Sequence, residues 1–279
     1  MNGIDISRWN DIDLSKVDFD FVIVKATQGT SFISPTFKDQ IGQAKRLGKL
    51  LGVYHYAGGG GAIAEAEHFM DVAREYFGKA ILVLDWEGDQ NPNFKNPEYA
   101  MAWLKYVKDK TGITPFIYMS KSVCRQYAKQ WDSSYPLWCA QYKNQQPTGY
   151  QDNPWTDSKG FGPWDGCKIL QYSSKGRLSG YNGNLDLDKS YIDGAEWLRW
   201  AAGDLLPENP VQELHPILKR GDRNEYVRKW QELLNRNGYC CGDADGIFGQ
   251  RTQDAVVKWQ QDHGMESGYI GPNTWETIK

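Results

Sequence analysis

Apolar residues in the first two thirds of the chain follow two patterns in turn. Runs rich in β-branched and aromatic residues, bounded by glycine or polar turns, are typical of strands. The segments between these runs carry apolar residues three or four positions apart, which is typical of amphipathic helices. The pattern predicts strands at residues 3–7, 21–26, 50–56, 81–87, 113–119, 136–142, 167–172 and 184–188, and helices near residues 35–48, 66–77, 97–110 and 121–129.

The order of these elements indicates the fold class. Strands that alternate with helices form parallel β/α units, and eight predicted strands favour a closed barrel over an open sheet. The last three strands are joined by segments without a helical period, of which residues 144–166 are rich in Gly, Pro, Asn, Asp and Gln. The sequence therefore predicts an α/β fold, a TIM-like barrel that is irregular in its final third.

Two carboxylates end the most apolar of the predicted strands. Asp85 and Glu87 follow four aliphatic residues and share one face of the strand, roughly 6.6 Å apart along it. Each charge raises the cost of ionising the other, which is how a glycoside hydrolase obtains a carboxylic acid beside a carboxylate. A solvated strand end is the simpler alternative. Two further acids, Asp5 and Asp186, also lie at or near the carboxyl ends of predicted strands. They are therefore expected at the same rim of the barrel, and this convergence favours an enzyme.

Aromatic residues are more numerous than a core requires, with 12 Trp and 16 Tyr. Flat amphipathic rings suit the faces of sugars as well as the interior of a protein. Five rings fall at or near predicted strand ends and are candidates for a sugar-binding groove, with ordinary packing as the alternative for each: Tyr54, Tyr56, Tyr118, Trp138 and Tyr142.

Composition argues against several other functions. A net charge of −3 gives no support for nucleic-acid or anionic-membrane binding. The five cysteines are irregularly spaced and the four histidines form no H-E-x-x-H motif, so we expect no metal and no cofactor. A predicted strand beginning at Gly3 leaves no room for a signal peptide, and no apolar run is long enough to span a membrane. We expect a monomer that is made in the cytoplasm, wherever it finally acts.

A second unit is predicted beyond the barrel. After a last barrel helix around residues 197–201, two prolines among polar residues indicate a linker at residues 204–211. Residues 212–279 contain two helical patterns, at 224–235 and 252–262, and a further helical turn at Thr274. These boundaries divide the chain into a barrel at residues 1–203, the linker, and a small three-helix all-α domain.

Motifs along the barrel segment resemble those of family 25 glycoside hydrolases, lysozymes (N-acetylmuramidases) of the Chalaropsis type that occur in bacteria and as phage endolysins. The resemblance covers about residues 1–195 and is carried in order by Asp5-Ile6-Ser7, Val24-Lys25-Ala26-Thr27-Gln28-Gly29, Gly52-Val53-Tyr54-His55-Tyr56-Ala57, Asp85-Trp86-Glu87, Ile117-Tyr118, Leu137-Trp138-Cys139-Ala140-Gln141-Tyr142, Gln171-Tyr172-Ser173 and Leu185-Asp186-Leu187-Asp188. It implies a (β/α)5β3 barrel and hydrolysis with retention of configuration. Gln28 departs from the pattern, since the family often has Glu there.

The C-terminal segment resembles the type-1 peptidoglycan-binding module. The resemblance rests on Asp245-Gly246-Ile247-Phe248-Gly249 followed by Thr252, and on Gly268-Tyr269-Ile270-Gly271 followed by Thr274-Trp275. These residues build such a fold and need not touch a ligand. The expected partner of the protein is bacterial cell-wall peptidoglycan.

Together these features predict a muramidase, with Glu87 as general acid, Asp85 and Asp186 as stabilisers of the developing positive charge, and Asp5 as the residue that sets the charge and hydrogen bonding of the cluster. Two alternatives remain: a chitin hydrolase, since Asp-x-Glu suits either polymer, and a catalytically inactive carbohydrate-binding protein. The spacing of Asp85 and Glu87 does not decide between retention and inversion. A wall substrate without a signal peptide indicates a phage endolysin, with a bacterial autolysin as the alternative.

Overall fold

Eight strands close into a barrel in the computed structural model, which describes residues 1–203, 217–265, 268–275 and 277. Over these ranges a ninth short strand, β3, pairs with the outer end of β2. The strands are β1 (Asn2–Ile6), β2 (Phe21–Gln28), β3 (Phe32–Ile33), β4 (Leu50–Tyr56), β5 (Ala80–Asp85), β6 (Phe116–Ser120), β7 (Leu137–Ala140), β8 (Ile169–Gly176) and β9 (Leu185–Ser190).

The strand order explains how the barrel closes. Leaving β3 aside, neighbours from β1 to β8 run parallel, whereas β9 is antiparallel to both β8 and β1. An antiparallel neighbour needs no crossover helix, because the chain simply turns back. The short connection between β8 and β9 is therefore long enough to join them, in agreement with the absence of a helical pattern in residues 173–184.

Helices cover the outside of the first part of the barrel only. They are α1 (Phe37–Arg46), α2 (Ala62–Ala73), α3 (Pro97–Thr111) and α4 (Lys121–Gln126), and α5 (Gly194–Ala202) follows the last strand. The connection from β1 to β2 contains a single 3₁₀ turn, Leu14–Lys16. The predicted (β/α)5β3 barrel is confirmed, with the first of its five helices reduced to that turn.

Side chains of the strands alternate between two apolar layers. Outward-facing residues such as Val22 and Leu82 pack against the helices, and inward-facing residues such as Phe21 and Ile81 fill the barrel. Helix α5 closes the lower end, where the ring of Trp197 lies 4.7 Å from that of Phe21. Its indole also donates a 3.0 Å hydrogen bond to the carbonyl of Leu51. Because apolar groups fill the lower barrel, the inward positions at the other end are left for polar side chains.

The C-terminal unit repeats one arrangement twice. In α6 (Glu225–Arg236), Gln231 accepts a 2.8 Å hydrogen bond from the amide of Gly246 and donates one of 3.0 Å to Oγ1 of Thr252. In α7 (Gln250–Asp262), Gln260 does the same for Gly268 and Thr274, each at 2.8 Å. A last short helix, α8 (Pro272–Trp275), completes a helical unit with its own apolar core.

The predicted linker, residues 204–211, lies outside the described residues, as do residues 212–216 of the predicted second domain. The proposed domain boundaries therefore stay predictions.

Candidate active site

Four predicted acids meet at the upper rim of the barrel. Asp85 is the last residue of β5, and Glu87 follows it outside the strand. Asp5 and Asp186 lie opposite each other in the pairing of β1 with β9. Since β9 runs antiparallel, Asp186 reaches the rim from the amino end of its strand. The expectation that every acid stands at a carboxyl end is corrected for this residue.

The carboxyl of Asp188 belongs to the same cluster and was missed from the sequence. Asp186 and Asp188 alternate with Leu185 and Leu187 on β9, and the leucines pack in the outer layer. Both aspartates therefore face inward, one pleat apart. Asp188 is fully buried and its Oδ1 accepts a 2.8 Å hydrogen bond from Nε1 of Trp138. The Leu-Asp-Leu-Asp alternation in the sequence could have predicted that Asp188 lies on the same face of the strand as Asp186.

Gln171, a second missed residue, connects the acids to two of the predicted aromatic residues. Its Nε2 donates a 2.6 Å hydrogen bond to Oδ2 of Asp5. Its Oε1 accepts hydrogen bonds from the hydroxyls of Tyr118 at 2.8 Å and Tyr142 at 2.5 Å. Because one amide has fixed donor and acceptor ends, this network fixes the orientation of the Asp5 carboxyl.

Burial raises the pKa of every acid in the cluster. For Asp5, burial and then the charge of Asp186 raise the pKa well above its usual range. Burial and then the Glu87 carboxylate raise the pKa of Asp85 well above its usual range. The same two causes raise the pKa of Asp186 to about 6. For Asp188, burial raises the pKa and the hydrogen bond from Trp138 lowers it. Burial outweighs the hydrogen bond, so the pKa of Asp188 also lies well above its usual range.

The general-acid candidate has a raised pKa as well, with a cause that differs from the prediction. Burial raises the pKa of Glu87 first, and the nearby carboxylate of Asp89 adds to it. The hydroxyl of Tyr118 and the ammonium of Lys25 act in the opposite direction. Asp85, which was expected to raise it, is not among these causes, whereas Glu87 does raise the pKa of Asp85. A raised pKa keeps a carboxyl protonated nearer to neutral pH, as general-acid catalysis requires.

Three of the five predicted groove aromatics lie beneath the rim instead of lining an open groove. Tyr54, Tyr118 and Trp138 are 8%, 5% and 2% exposed, so little of any ring is available to stack on a sugar. Trp138 instead packs on Tyr118, with ring centroids 4.5 Å apart. Tyr56 and Tyr142 are partly exposed, and their contact with substrate stays a prediction.

An open groove of about 510 Å³ begins at Glu87 and extends over the ends of β1, β2 and β4. Aromatic and charged side chains line it, among them Arg8, Trp9, Lys25, Phe32, Tyr56 and Asp89. Trp9 is 78% exposed, so its ring is available to a ligand. The groove is therefore a place where a polymer could lie beside the carboxyl cluster.

A buried hydrogen-bonded chain shapes the glycine loop that borders this groove. Thr27 Oγ1 lies 2.8 Å from Nδ1 of His55, whose Nε2 lies 3.0 Å from Oε2 of Glu65. Burial lowers the pKa of His55, so its neutral ring donates to Glu65 through Nε2 and accepts from Thr27. The Glu65 carboxylate also accepts backbone amides from Gly58 at 3.1 Å and Gly60 at 2.7 Å. Gly58 lines the groove, so Glu65 fixes one of its walls.

The described part of the chain holds no group of three or more His, Cys, Asp or Glu side chains that could hold a metal ion. Within the same ranges, no helix is both long enough and apolar enough to cross a membrane.

Known proteins resemble both parts of the chain. The profile of the family described as Glycosyl hydrolases family 25 matches residues 4–181, and that of a putative peptidoglycan binding domain matches residues 223–278. The chain is 26% identical to the autolytic lysozyme of Clostridium acetobutylicum over 271 residues, covering 95% of this chain and 74% of that protein. It is 30% identical to the lysozyme of Streptococcus phage Cp-9 over 186 residues, covering 61% of this chain and 50% of that one.

A solved structure agrees in fold. The bacterial lysozyme from Streptomyces coelicolor superimposes with a TM-score of 0.60 at 23% identity, covering 72% of this chain and 96% of that one. The family profile spans more than half of the 279 residues and includes Asp5, Asp85 and Glu87. The chain belongs to glycosyl hydrolase family 25, as a lysozyme-type glycoside hydrolase that carries a C-terminal peptidoglycan-binding domain.

Proposed function

We propose that the protein hydrolyses the β-1,4 bond between N-acetylmuramic acid and N-acetylglucosamine in bacterial peptidoglycan. The observation that carries the proposal is the position of Glu87, a partly buried carboxyl with a raised pKa where an open groove meets a cluster of acids. A polymer in the groove would present a glycosidic oxygen to this carboxyl. Glu87 then donates its proton to the leaving oxygen.

The neighbouring acids have different roles. Asp85 and Asp186 stabilise the positive charge that develops on the sugar ring as the bond breaks. Asp5 lies deeper and is held by Gln171, so it sets the charge and hydrogen bonding of the cluster. Lys25 lies close enough to Asp85 and Glu87 to act on their pKa values, and it limits the repulsion between them. Tyr56 and Tyr142 contact the sugars.

The C-terminal domain holds the enzyme on the wall, and the protein acts there as a phage endolysin that lyses its bacterial host. The lysozyme of a Streptococcus phage among its relatives supports this role. An autolysin is the second candidate, favoured by the similarity to the autolytic lysozyme of Clostridium acetobutylicum over nearly the whole chain. In either role the protein works as a monomer outside the membrane.

The new reducing ends released from purified peptidoglycan test the reaction. Borohydride reduction followed by acid hydrolysis is expected to yield muramitol in excess over glucosaminitol, because a muramidase leaves N-acetylmuramic acid at the reducing end. Glucosaminitol in excess would indicate a glucosaminidase, and neither product would indicate a carbohydrate-binding protein. Chitin oligosaccharides, digested in parallel, test the alternative of a chitin hydrolase.

The biological role needs a separate test. Expressed in a sensitive host, the protein should leave cells intact until a pore-forming protein is co-expressed, and lysis should then follow within minutes. Lysis without the pore-forming protein would contradict the dependence expected of this endolysin and favour an autolysin.

A further inference from the structure

Two cations lie together in the groove beside Glu87. The guanidinium carbon of Arg8 is 4.6 Å from the ring centroid of Trp9 and 5.1 Å from that of Phe32. The ammonium of Lys25 is 4.4 Å from the ring of Tyr56 and donates a 2.8 Å hydrogen bond to Oε1 of Gln28. Aromatic faces orient both cations through their negative quadrupoles without neutralising them.

The charge of Arg8 is not matched by a carboxylate in contact with it. Among residues 1–203, 217–265, 268–275 and 277, no Asp or Glu oxygen lies within 4.0 Å of its guanidinium. Burial lowers the pKa of Lys25, the carboxylates of Asp85 and Glu87 raise it, and the charge of Arg8 lowers it. The charges of Arg8 and Lys25 therefore repel each other. An anion that enters the groove would relieve this repulsion and be attracted by both.

We infer that the groove recognises a carboxylate on the glycan, held by Arg8 with support from Lys25, beside the bond that Glu87 cleaves. The inference rests on the proposed function and extends it, because it names a part of the substrate other than the sugar rings. Arg8 is exposed and has a planar guanidinium, which suits bidentate binding of a carboxylate that arrives from solvent.

Peptidoglycan offers this chemistry from two sources. The stem peptides carry free carboxylates. The lactyl group of N-acetylmuramic acid is amide-linked to the peptide and becomes a carboxylate only after the peptide is removed. Chitin has neither, so the subsite would also discriminate between the two polymers.

The experiment compares Arg8→Gln with wild type on three soluble glycans. The first carries stem peptides, the second has lost them to an amidase and exposes lactyl carboxylates, and the third is the first with its carboxylates converted to neutral amides. Arg8→Gln should raise KM on at least one carboxylate substrate about two- to fivefold with kcat nearly unchanged, the range of an exposed ion pair. The difference should shrink as salt is added. Whichever of the first two substrates responds identifies the source of the carboxylate.

Two further variants separate charge from structure. Arg8→Lys keeps the charge and should recover most of the KM. Arg46→Gln removes a cation at the C-terminal end of α1, outside the groove, and this variant should match wild type on all three glycans. On the amidated glycan, wild type and Arg8→Gln should have the same KM.

Other outcomes would overturn the inference. An equal rise in KM on the amidated glycan would mean that Arg8 only supports Trp9 and Phe32. Equal KM values for wild type and Arg8→Gln on all three glycans would mean that no carboxylate is recognised, while the proposed reaction stands. If wild type cleaves none of the three glycans, the proposed function itself is wrong.

Discussion

Nε1 of Trp138 donates a 2.8 Å hydrogen bond to Oδ1 of Asp188, so an indole of β7 holds a carboxyl of β9 beneath the rim. Trp138 is 2% exposed and Asp188 is fully buried. Asp188 in turn acts on the pKa of Asp5, which faces the same cluster. Trp138 is therefore a positioning residue, since its hydrogen bond holds one of the buried acids. The presence of a tryptophan here is explained without its predicted contact with sugar.

Trp138→Phe tests this assignment. The phenyl ring keeps most of the packing but cannot donate a hydrogen bond, and a buried acceptor that loses its donor costs on the order of 1–3 kcal/mol. We expect a lower free energy of unfolding, a shifted pH–rate profile and an almost unchanged KM. Denaturant unfolding and initial rates on soluble glycan measure the three effects. A large rise in KM with unchanged stability would instead support direct contact with substrate.

Glu87→Gln should abolish hydrolysis while folding and wall binding persist. The amide has the same shape but no proton to give to the leaving oxygen, and loss of a positioned acid lowers kcat by roughly 10²–10⁴. Reducing-end release and sedimentation with peptidoglycan measure the two properties separately. Glu98→Gln, on the exposed face of α3, is the matched control and should retain full activity. Near-wild-type turnover by Glu87→Gln would falsify the assignment of the general acid.

Strand patterns were sufficient to predict the barrel, because residues such as Ile81 and Leu82 must face two different apolar layers. The same alternation predicted that Asp85 and Glu87 would share one face of the strand. The sequence did not reveal that β9 runs antiparallel to β8. The direction of β9 depends on the connection between these two strands, in which the apolar residues follow neither a helical nor a strand pattern. The short strand β3, Phe32–Ile33, was also missed, since two residues carry no detectable alternation.

Prediction of the site was incomplete for a related reason. A sequence places each ring at a strand end but does not show how deeply it is buried. Trp138 and Tyr118 were therefore assigned to an open groove, although they pack under it. Gln171 was overlooked because an amide has no charge to attract attention, and its partners Asp5 and Tyr118 come from distant strands.

Asp186→Asn should make the protein more stable at neutral pH and less active. The folded carboxyl keeps its proton up to about pH 6, whereas an unfolded Asp loses it near pH 4. Between these values the folded state binds more protons, so stability falls as pH rises through this window. The amide has no proton to lose, so the variant should gain on the order of 1–3 kcal/mol at pH 7. Thermal unfolding at several pH values measures the gain, and a gain of equal size at pH 4 would contradict its cause.

Glu65→Gln should loosen the glycine loop beside the groove. The side chain is fully buried, and hydrogen bonds from His55 and the amides of Gly60 and Gly58 outweigh burial and lower its pKa, so it is a carboxylate. An amide presents only one acceptor atom to these donors. We expect faster hydrogen exchange at the amides of Gly58 and Gly60 and a higher KM. Glu67→Gln changes an exposed residue of the same helix that binds Tyr106, and serves as the control. Unchanged exchange in Glu65→Gln would mean that the loop is held by other contacts.

The contacts between barrel and C-terminal domain determine what a truncation should do. Lys219 pairs with Asp20 at 3.2 Å, and the ammonium of Lys49 lies 4.4 Å from the ring of Tyr269. Asp20 precedes β2 and Lys49 precedes β4, so these contacts lie at the end of the barrel opposite to the acids. The partly exposed ion pair of Lys219 with Asp20 contributes little to stability. Residues 1–203, which contain every proposed catalytic residue, are therefore expected to fold alone.

This truncated protein should keep its kcat on soluble muropeptides and lose activity on intact walls. Tethering replaces a second encounter by an intramolecular one and raises avidity by roughly 10²–10⁴, which only the insoluble polymer can reveal. Residues 210–279 alone should sediment with peptidoglycan and release no reducing ends. Full-length Lys219→Met, which breaks the contact with Asp20 but keeps the domain, separates docking from tethering and should remain active on walls. If the truncated protein instead lost as much activity on soluble fragments as on walls, the C-terminal domain would be a stabilising cap on the barrel and not an anchor.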